Sequence, residues 1–579
     1  MLKFVRKYTF IQKIICLCIV LCIAGTTCSC NLLNRMLSSL LVPERRTVAF
    51  SEMTYTRPDF KAVQSEIETL KKQIEKDNVS YKKQLAGLRN FNRAYWDYYS
   101  MYSLCYVHYA LDTTDSYYKD EYAFFGETNP KMQYLLEDLF VACNQSKHKK
   151  RFEADYFGEG YLDAYDEGSS YSPELVEYLQ QEAKYLQQYH DASADDTITY
   201  LGQKRPFSEL MEEARTEAEQ EKILSAYKVQ TNKKLGEIYV NLVKTRLQIA
   251  KLLGYDSYAA YAYETLERDY TASMGAQFVN QVETYLVPLY KELTKDGVGY
   301  PELPALSWQQ ISKTTGKALS GIDPAVKDIY TYLEEYQLYD AAPSSGKIAQ
   351  DFTTYIENYD APFMIINPRG NWTDVLTFAH EFGHFTDMYL NYNTNYSLDL
   401  SECASMSMEY LILPQIAKEN AELSRKLSAY KMYDTLSVYI TQSAYTAFEQ
   451  KVYQLSPEHV NLSEINSIAR DVAQRFGSEE RSNFEYTWAM IPHFYEKAFY
   501  CISYCFSNDV AFQIYQKECE QAGSGADVYL DLIQWDAQQT FLENIQRVGL
   551  VDPCAKGRMQ EMRDFLADYY GYSDQAAAA

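Results

Sequence analysis

The chain has 579 residues, 47% of them hydrophobic, and its 79 acidic against 55 basic residues give a net charge of −24. This length and apolar content are those of a large globular protein with one or more domains. A nucleic-acid backbone binds basic surfaces, so the charge excludes nucleic acid as an expected partner.

The N-terminus has the pattern of an export signal. Basic residues precede the apolar run 14–25, which has the length of a signal-peptide core and is short for a membrane-spanning helix. Small residues then lead to Cys28 and Cys30, as in a bacterial lipoprotein cleavage site, and Cys30 is the better candidate. We interpret 1–30 as a leader and expect an exported cell-surface lipoprotein. Secretion without a lipid and retention of an uncleaved anchor remain open.

Beyond the leader the chain has the periodicity of long helices. Phe60, Val63 and Ile67, for example, recur on one stripe among charged residues. A helix is expected to begin after Pro130, and the Gly and Pro residues of 296–322 predict a loop. The chain is therefore expected to be mostly α-helical.

Two short stretches before residue 370 depart from this periodicity. The apolar run 361–366 is bounded by turn residues and predicts a strand, and 348–356 is a weaker candidate for its partner. The edge of such a sheet could pair with an extended peptide. A sheet with a structural role alone is the alternative, and the two interpretations are compatible because a structural sheet still has an edge.

The segment 371–390 carries the strongest motif, because 380–384 read His-Glu-Phe-Gly-His. On a helix, positions four apart share a face, so His380 and His384 would point the same way and could bind one zinc ion. Glu381 would remain close enough to a metal-bound water to take its proton as a general base. This spacing predicts a helix with a metal-binding face.

A structural helix with two unrelated histidines is the alternative interpretation. The chain has seven histidines, so a His-Glu-x-x-His pattern by chance is rare. Gly383 supports the metal site, because glycine inside a helix costs roughly 1 kcal/mol relative to alanine. The glycine is expected to have a packing or access reason, because a side chain at Gly383 would crowd the metal face.

Two histidines leave a catalytic zinc one ligand short, because such sites usually have three protein ligands and a water. Glu402 lies on a predicted helix of small and apolar residues, where a merely solvated carboxylate is unexpected. We assign it as the third ligand, with an exposed helix carboxylate as the alternative. Glu409 shares its face and would hydrogen-bond a ligating histidine. Asp387, three residues past His384, competes for that role.

Farther along, the spacing of His493, Tyr500 and Tyr504 would put them on one helical face. A neutral imidazole N–H or a phenol O–H aimed at the scissile carbonyl would stabilise the oxyanion that develops in peptide hydrolysis. The chain has 55 tyrosines, so a tyrosine stripe alone indicates little. The three are candidate transition-state residues, and which tyrosine acts remains open.

Together these motifs resemble the thimet-oligopeptidase and oligoendopeptidase F family of zinc metallopeptidases, and the oligoendopeptidase F branch more closely. Ile502 departs from that branch, which often has a tyrosine there. The resemblance runs from about residue 57 to about residue 570. The segments that carry it are 111–118, 362–366, 380–384, 402–409 and 493–504.

The resemblance implies a mostly α-helical, two-lobed metallopeptidase with a deep central channel and a small β-sheet next to the active-site helix. One zinc ion per chain would serve hydrolysis of internal bonds in short unstructured oligopeptides, with Glu381 activating the zinc-bound water. We expect a monomer that meets the membrane only through its leader or lipid. The segments expected are a leader at 1–30, a tether at 31–57, an N-terminal helical region at 58–195, a zinc metallopeptidase catalytic region at 196–572 and a flexible tail at 573–579.

Two other functions remain as alternatives. One is an extracytoplasmic peptide-binding lipoprotein without turnover, although a binding protein has no need of Glu381 as a base. The other is a metalloenzyme that cleaves a different bond, such as an ester or an N-acyl group.

Overall fold

Helices dominate the structure, a computed structural model, as the sequence predicts. Two small sheets accompany them, of which the sequence predicted the one before the motif helix. The predicted leader with Cys28 and Cys30, the first part of the tether (31–45) and the tail 573–579 lie outside the described residues. The structure describes residues 46–166, 168–344, 346–348, 350–391, 397–477, 484–536 and 539–572.

The N-terminal helices pack around a hydrophobic cluster of their own, which includes Phe91 and Phe125. Pro130 lies inside α3 and does not precede a new helix, so that prediction was wrong. The side chain of Pro130 is buried, and packing at this site offsets the hydrogen bond that proline removes. These helices are α1 (Phe60–Ile74), α2 (Tyr81–Leu111), α3 (Ser116–Gln145) and α4 (Lys149–Phe152). The next helix, α5 (Pro173–Ala194), contributes Tyr189 to the main core.

The middle of the chain contains a hairpin and a further set of helices. A helix, α10, occupies part of the predicted loop 296–322, and it begins with a capping box between Ser307 and Gln310. The hairpin strands are β1 (Thr197–Tyr200) and β2 (Gln203–Pro206). The helices are α6 (Phe207–Glu213), α7 (Glu217–Leu252), α8 (Tyr258–Thr265), α9 (Ala272–Lys295), α10 (Trp308–Ser320) and α11 (Pro324–Glu335).

The second sheet lies directly before the motif helix in the chain. Its strand order is β3-β5-β4, so β4 is at an edge and β5 is central. Every residue of β5 is buried, as its apolar sequence predicts. The strands are β3 (Tyr339–Asp340), β4 (Phe352–Ile356) and β5 (Ala361–Ile365).

The C-terminal helices and this sheet enclose the main hydrophobic core. Met53, in the second part of the predicted tether, is buried in the same core. The helices are α12 (Thr373–Asn391), α13 (Leu398–Ala417), α14 (Ala421–Val452), α15 (Leu462–Phe476), α16 (Phe484–Thr487), α17 (Pro492–Glu496), α18 (Ile502–Glu520), α19 (Ser524–Leu532), α20 (Phe541–Arg547) and α21 (Arg558–Tyr570).

Within the residues that the structure describes, none of the helices combines the length and apolar character that a bilayer crossing requires. The two lobes, the deep channel and the domain division at residue 195 stay predictions.

Candidate metal centre

Local hydrogen bonds fix the start of α12, the helix that carries the motif. The Asn371 side chain accepts a hydrogen bond from the backbone N–H of Thr373 at 2.8 Å. The Asp374 carboxylate accepts from the backbone N–H groups of Arg369 and Gly370, at 3.0 and 2.8 Å. A carboxylate is also favoured at a helix N-terminus by the helix dipole. These contacts fix the residue at which α12 begins. They therefore also fix the direction in which each face of the helix points.

The apolar stripe of α12 is buried, and the opposite face meets a cleft. Phe378, Phe382 and Phe385 are fully buried, whereas His380 and His384 line the cleft. Burial of three aromatic rings stabilises the helix by several kcal/mol, at about 1.5–3 kcal/mol for each buried side chain. The helical spacing therefore directs both imidazoles towards the cleft.

Gly383 lets α12 approach α13 closely. A Cβ at this position would lie 2.6 Å from the carbonyl oxygen of Ala404 and would also collide with the backbone of Ser405. Both neighbours belong to α13, next to Glu402. The glycine is thus required by helix packing, which is one of the two reasons expected for it, and the added side chain would collide with α13.

We expect Gly383→Ala to destabilise the fold and to disturb the site. Backbone atoms of a buried helix cannot give way as a side-chain end can, so the added methyl group should cost at least the ~1–3 kcal/mol typical of overpacking. Chemical denaturation followed by circular dichroism would measure the change. Gly299→Ala is the control, because a Cβ there has open space and an ordinary backbone angle. Equal stability of the two variants would contradict the packing argument.

His380, His384 and Glu402 converge in the cleft. Nε2 of His380 lies 3.6 Å from Glu402 Oε2, and Nε2 of His384 lies 3.5 Å from Glu402 Oε1. Potential ligand atoms of all three residues lie within 4.8 Å of one another. Two ligand atoms on a tetrahedral zinc with bonds near 2.0–2.1 Å are about 3.3 Å apart. The spacing of the donor atoms fits such an ion.

The surroundings of these ligands also favour a cation. Glu402 is fully buried, and a buried carboxylate requires a compensating positive charge or hydrogen bonds. Burial lowers the pKa of His380, but the hydrogen bond with Glu409 and the charge of Glu402 outweigh it and raise the pKa to about 9. Two imidazoles with one carboxylate are a common donor set for catalytic zinc. The residues present therefore fit the metal that the motif implies.

Each histidine has a hydrogen-bond partner at its second ring nitrogen. Nδ1 of His380 donates to Glu409 at 2.8 Å, and Nδ1 of His384 lies 3.0 Å from the hydroxyl of Ser401. Such partners fix the ring orientation and leave Nε2 for a metal. Glu409 in turn forms an ion pair with the buried Lys431 at 2.7 Å. The predicted Glu409 contact is thus present in the structure, on His380.

Asp387 is buried on the same helix as His384, and its carboxylate has other partners. Its carboxylate accepts hydrogen bonds from the indole N–H of Trp535 at 3.1 Å and from the Asn391 side chain at 2.7 Å. Burial raises the pKa of Asp387, and hydrogen bonds from Trp535, Asn391 and Ser401 oppose this rise. The hydrogen-bond partner of His384 Nδ1 is thus Ser401, and not Asp387 as the sequence had allowed. Ser401 has no motif of its own, and its position next to Glu402 was the sole signal in the sequence.

Glu381 occupies the position next to the donor set. Its carboxylate accepts a hydrogen bond from the hydroxyl of Thr353 on β4 at 2.8 Å, and its side chain lines the cleft. Burial raises the pKa of Glu381 to about 7. A carboxyl with a pKa near 7 can both take up and release a proton at neutral pH. Sequence reasoning did not foresee Thr353, which orients this carboxylate.

His493, Tyr500 and Tyr504 also meet at the cleft, although they do not share one helix. Helix α17 ends at Glu496, and Phe499 has a left-handed backbone with φ of 63°. The single helical face predicted from their spacing was therefore wrong. The turn nevertheless brings Nε2 of His493 to 3.1 Å from the hydroxyl of Tyr504. The hydroxyl of Tyr500 donates a hydrogen bond to Glu402.

Buried ionisable residues hold this turn in place. Arg246 on α7 donates to the carbonyl oxygen of Phe494 at 2.9 Å and also to that of Tyr495. Glu449 on α14 accepts from the backbone N–H of Phe499 at 2.8 Å. Burial lowers the pKa of His493, so its imidazole is neutral at pH 7. The site thus has a fixed, neutral donor at His493.

The cleft that joins these groups has a volume of about 230 Å³. Its lining brings together all the predicted metal ligands, the predicted base and the three candidate transition-state residues. Asp387 and Glu409 lie behind it. The lining also includes residues that sequence reasoning missed: Tyr106, Gln350, Asp351, Phe352, Thr353, Met388, Glu496 and Lys497.

Comparison with known families gives two matches along the chain. The sequence profile of the Peptidase M3 N-terminal domain matches residues 50–165. That of Peptidase family M3 matches residues 327–564, which include the residues of the candidate site described above except Tyr106 and Arg246.

Curated relatives match over part of their length. The chromosomal oligoendopeptidase F of Lactococcus lactis subsp. cremoris is 28% identical over 207 residues, which are 33% of this chain and 34% of that protein. The oligopeptidase PepF of Bacillus subtilis is 23% identical over 335 residues, or 54% of this chain and 46% of that protein. The match to the Lactococcus relative thus spans about a third of its length.

Solved structures are similar over nearly the whole chain. PZ peptidase A, determined with an inhibitor, has a TM-score of 0.78 and 26% identity, covering 91% of this chain and 100% of that one. A putative oligoendopeptidase F has a TM-score of 0.79 and 25% identity, covering 92% and 100%. A putative oligoendopeptidase F from Bacillus anthracis has the same fold, with a TM-score of 0.73 and 23% identity over 92% and 99%.

Proposed function

The chain belongs to peptidase family M3, and we propose that it is a zinc-dependent endopeptidase that hydrolyses internal bonds of short, unstructured oligopeptides. The observation that carries the proposal is the convergence of His380, His384 and Glu402 beside the buried carboxyl of Glu381. The metal that these three residues would hold supplies a Lewis acid that acidifies water and polarises the scissile carbonyl. The steps below concern the residues of the chain.

Glu381 acts as the general base. Its carboxylate takes the proton of the attacking water and later passes it to the amine that leaves. The hydrogen bond from Thr353 holds the carboxylate in one orientation, and the two are 2.8 Å apart. A peptide-binding protein would have no use for a carboxyl in this position, so this arrangement favours an enzyme.

His493 and a tyrosine stabilise the oxyanion. A neutral imidazole or a phenol donates a hydrogen bond to the carbonyl oxygen as its charge develops, which is typically worth about 3–4 kcal/mol per donor. Tyr504 shares a hydrogen bond with His493, whereas Tyr500 contacts Glu402. The Tyr500 contact brings its hydroxyl closer to the proposed metal, and we therefore favour Tyr500 as the partner of His493.

Strand β4 orients the substrate backbone. It is at the edge of its sheet, and Phe352 and Thr353 from it line the cleft. An extended peptide that pairs with this edge would run past Glu381, since Thr353 contacts that side chain. Such pairing uses main-chain hydrogen bonds and therefore suits unstructured peptides of varied sequence.

Cleavage of a peptide in the presence and absence of a chelator tests the function. Purified protein is incubated with unstructured peptides of about ten residues, and products are identified by mass spectrometry. We expect internal cleavage that stops with chelator and returns with zinc. Binding of peptides without cleavage by zinc-loaded protein would favour the peptide-binding alternative. Cleavage of ester or N-acyl substrates alone would favour the other metalloenzyme.

The location of the protein is a separate proposal, based on the sequence of its leader alone. We propose export, with Cys30 or Cys28 as the lipid acceptor and secretion as the alternative.

A further inference from the structure

Glu496 is an acidic residue of the cleft for which the proposed chemistry has no role. It is the last residue of α17 and lies one helical turn after His493, so the two side chains share a face of this short helix. The side chain of Glu496 is 22% exposed and lines the cleft with His493. Burial lowers the pKa of His493, and the charge of Glu496 opposes this change. Glu496 therefore lies next to the place proposed for the scissile bond.

A histidine from an earlier helix holds the carboxylate of Glu496. Nε2 of His190, on α5, lies 3.0 Å from Glu496 Oε1. His190 is buried, and among the described residues its other ring nitrogen, Nδ1, has no hydrogen-bond partner. A second N–H at Nδ1 would be buried and unsatisfied, so the neutral imidazole with its hydrogen on Nε2 fits this contact. His190 thus orients the carboxylate without cancelling its charge, and a carboxylate can accept further hydrogen bonds at its two oxygens.

An aromatic ring from the N-terminal helices lies in the same part of the cleft. Tyr106 on α2 lines the cleft together with Glu496. Burial raises the pKa of Tyr106, and the charge of Glu496 adds to this rise. Phe352 on β4 and Tyr122 on α3 contact the Tyr106 ring, with centre-to-centre distances of 5.2 and 5.6 Å. A carboxylate beside a tyrosine ring is a combination that binds organic cations, through its charge and through the face of the ring.

The positive charge of Lys497, the residue after Glu496, lies towards the metal ligands. Its ammonium is 5.1 Å from the centre of the Tyr500 ring, and the hydroxyl of that tyrosine bonds to Glu402. Glu496, in contrast, contacts α5 through His190. The net charge of the chain is −24, which also favours the approach of cations.

We propose that Glu496, with the ring of Tyr106, binds a positively charged group of the peptide substrate within a few residues of the scissile bond. The proposal rests on the proposed peptidase function and adds a substrate preference to it. The cation would donate to the carboxylate that His190 orients and would lie against the tyrosine ring. It can be the charged group of a Lys or Arg side chain or the free amino group at the N-terminus of the peptide.

Matched peptides test the preference. One series carries Lys or Met at successive positions on both sides of the scissile bond, and a second carries a free or an acetylated N-terminus. For the unmodified protein we expect kcat/KM to be about tenfold higher for the cationic member of at least one pair, as for a charge-assisted hydrogen bond. Dependence on Lys identifies a side chain as the source of the cation, and dependence on the free amino group identifies the chain end.

Variants of the two residues show whether they are responsible. Glu496→Gln should bring the ratio of kcat/KM within each pair close to one, because the amide keeps the shape of the carboxylate but has no charge. Tyr106→Leu should lower the ratio by about two- to fivefold, as expected for loss of a cation–π contact. Glu520→Gln should leave the ratio unchanged and is the control, because Glu520 is exposed at the end of α18 and is not among the described residues that line the cleft.

Two results of these measurements would overturn the proposal. One is a ratio that stays at the value of the unmodified protein in either Glu496→Gln or Tyr106→Leu. The other is an equal loss for both members of every pair, since Glu496 would then act on the transition state through His493.

Binding measurements separate this inference from the proposed function. Glu381→Gln protein, with and without Glu496→Gln, is titrated with the same peptides by calorimetry. A preference for the cationic peptide that disappears with Glu496→Gln would support the cation site even if no peptide were cleaved. Equal affinity for both members of each pair, or no binding of any peptide, would overturn the site, whatever the cleavage result.

Discussion

Glu381→Gln should lower kcat by about 10²- to 10⁴-fold, the range typical for loss of general acid–base catalysis. The amide has nearly the shape of the carboxylate and can still accept the hydrogen bond from Thr353, which the structure has at 2.8 Å. It cannot take a proton from water at neutral pH. Single-turnover cleavage of an internally quenched peptide would measure the loss, and elemental analysis would measure the metal content, which should stay unchanged.

Glu357→Gln is the matched control for this variant. Burial raises the pKa of Glu357 to about 7, as it does for Glu381, and Glu357 follows the same strand, β4. It does not line the cleft described here. Both substitutions therefore remove a similarly perturbed carboxyl, and a large loss of turnover is expected for one of them. Full activity of Glu381→Gln would refute the assignment of the base.

The local features of the site could be predicted from the sequence because they depend on helical spacing. Two histidines four residues apart must share a face wherever the helix lies. The burial of Glu402 followed from the same kind of argument, since its neighbours on α13 are small and apolar. The predicted residues Glu381, His380, His384 and Glu402 all line one cleft in the structure.

The remaining features depend on contacts between distant parts of the chain. Phe499 adopts a left-handed backbone, and this breaks the helix that the spacing of His493 and Tyr500 predicted. Arg246 comes from a helix about 250 residues away in sequence, and it bonds to the carbonyl oxygen of Phe494. Neither the left-handed backbone of Phe499 nor the hydrogen bond of Arg246 leaves a local pattern in the sequence. Glu496, in contrast, is three residues past His493, and this spacing could have drawn attention to it.

Errors in the helix boundaries have similar causes. Pro130 is a reliable signal for a helix boundary in isolation, but packing between neighbouring helices overrides its local cost. The start of α10 had a local signal, a serine followed three residues later by glutamine, within a stretch whose glycines and prolines dominated the prediction. Tertiary packing thus explains the error at Pro130, and competing local signals explain the error at the start of α10.

The two glutamates of α13 should differ in how their loss affects the metal and the fold. Glu402→Gln replaces a proposed ligand with a weak one, whereas Glu409→Gln alters a residue that hydrogen-bonds His380 and is not itself a proposed ligand. Loss of such an outer partner usually lowers metal affinity by about 10- to 100-fold. We expect Glu402→Gln to lower the zinc affinity by more than about 100-fold. Competition with a chelator of known zinc affinity would measure both values.

In thermal unfolding of the metal-free variants, the order of the effects should be reversed. Glu409→Gln should lower the Tm more than Glu402→Gln does. Glu409 is paired at 2.7 Å with Lys431, which is fully buried. Breaking a buried ion pair at one partner typically costs about 3–5 kcal/mol, and the remaining contact of Lys431 with Asp434 at 2.9 Å should reduce this cost. Glu402→Gln keeps the oxygen that accepts from Tyr500 and should change the metal-free Tm little. If Glu402→Gln kept the zinc affinity of the unmodified protein, Glu402 would not be a metal ligand, and the proposed three-residue site would be wrong.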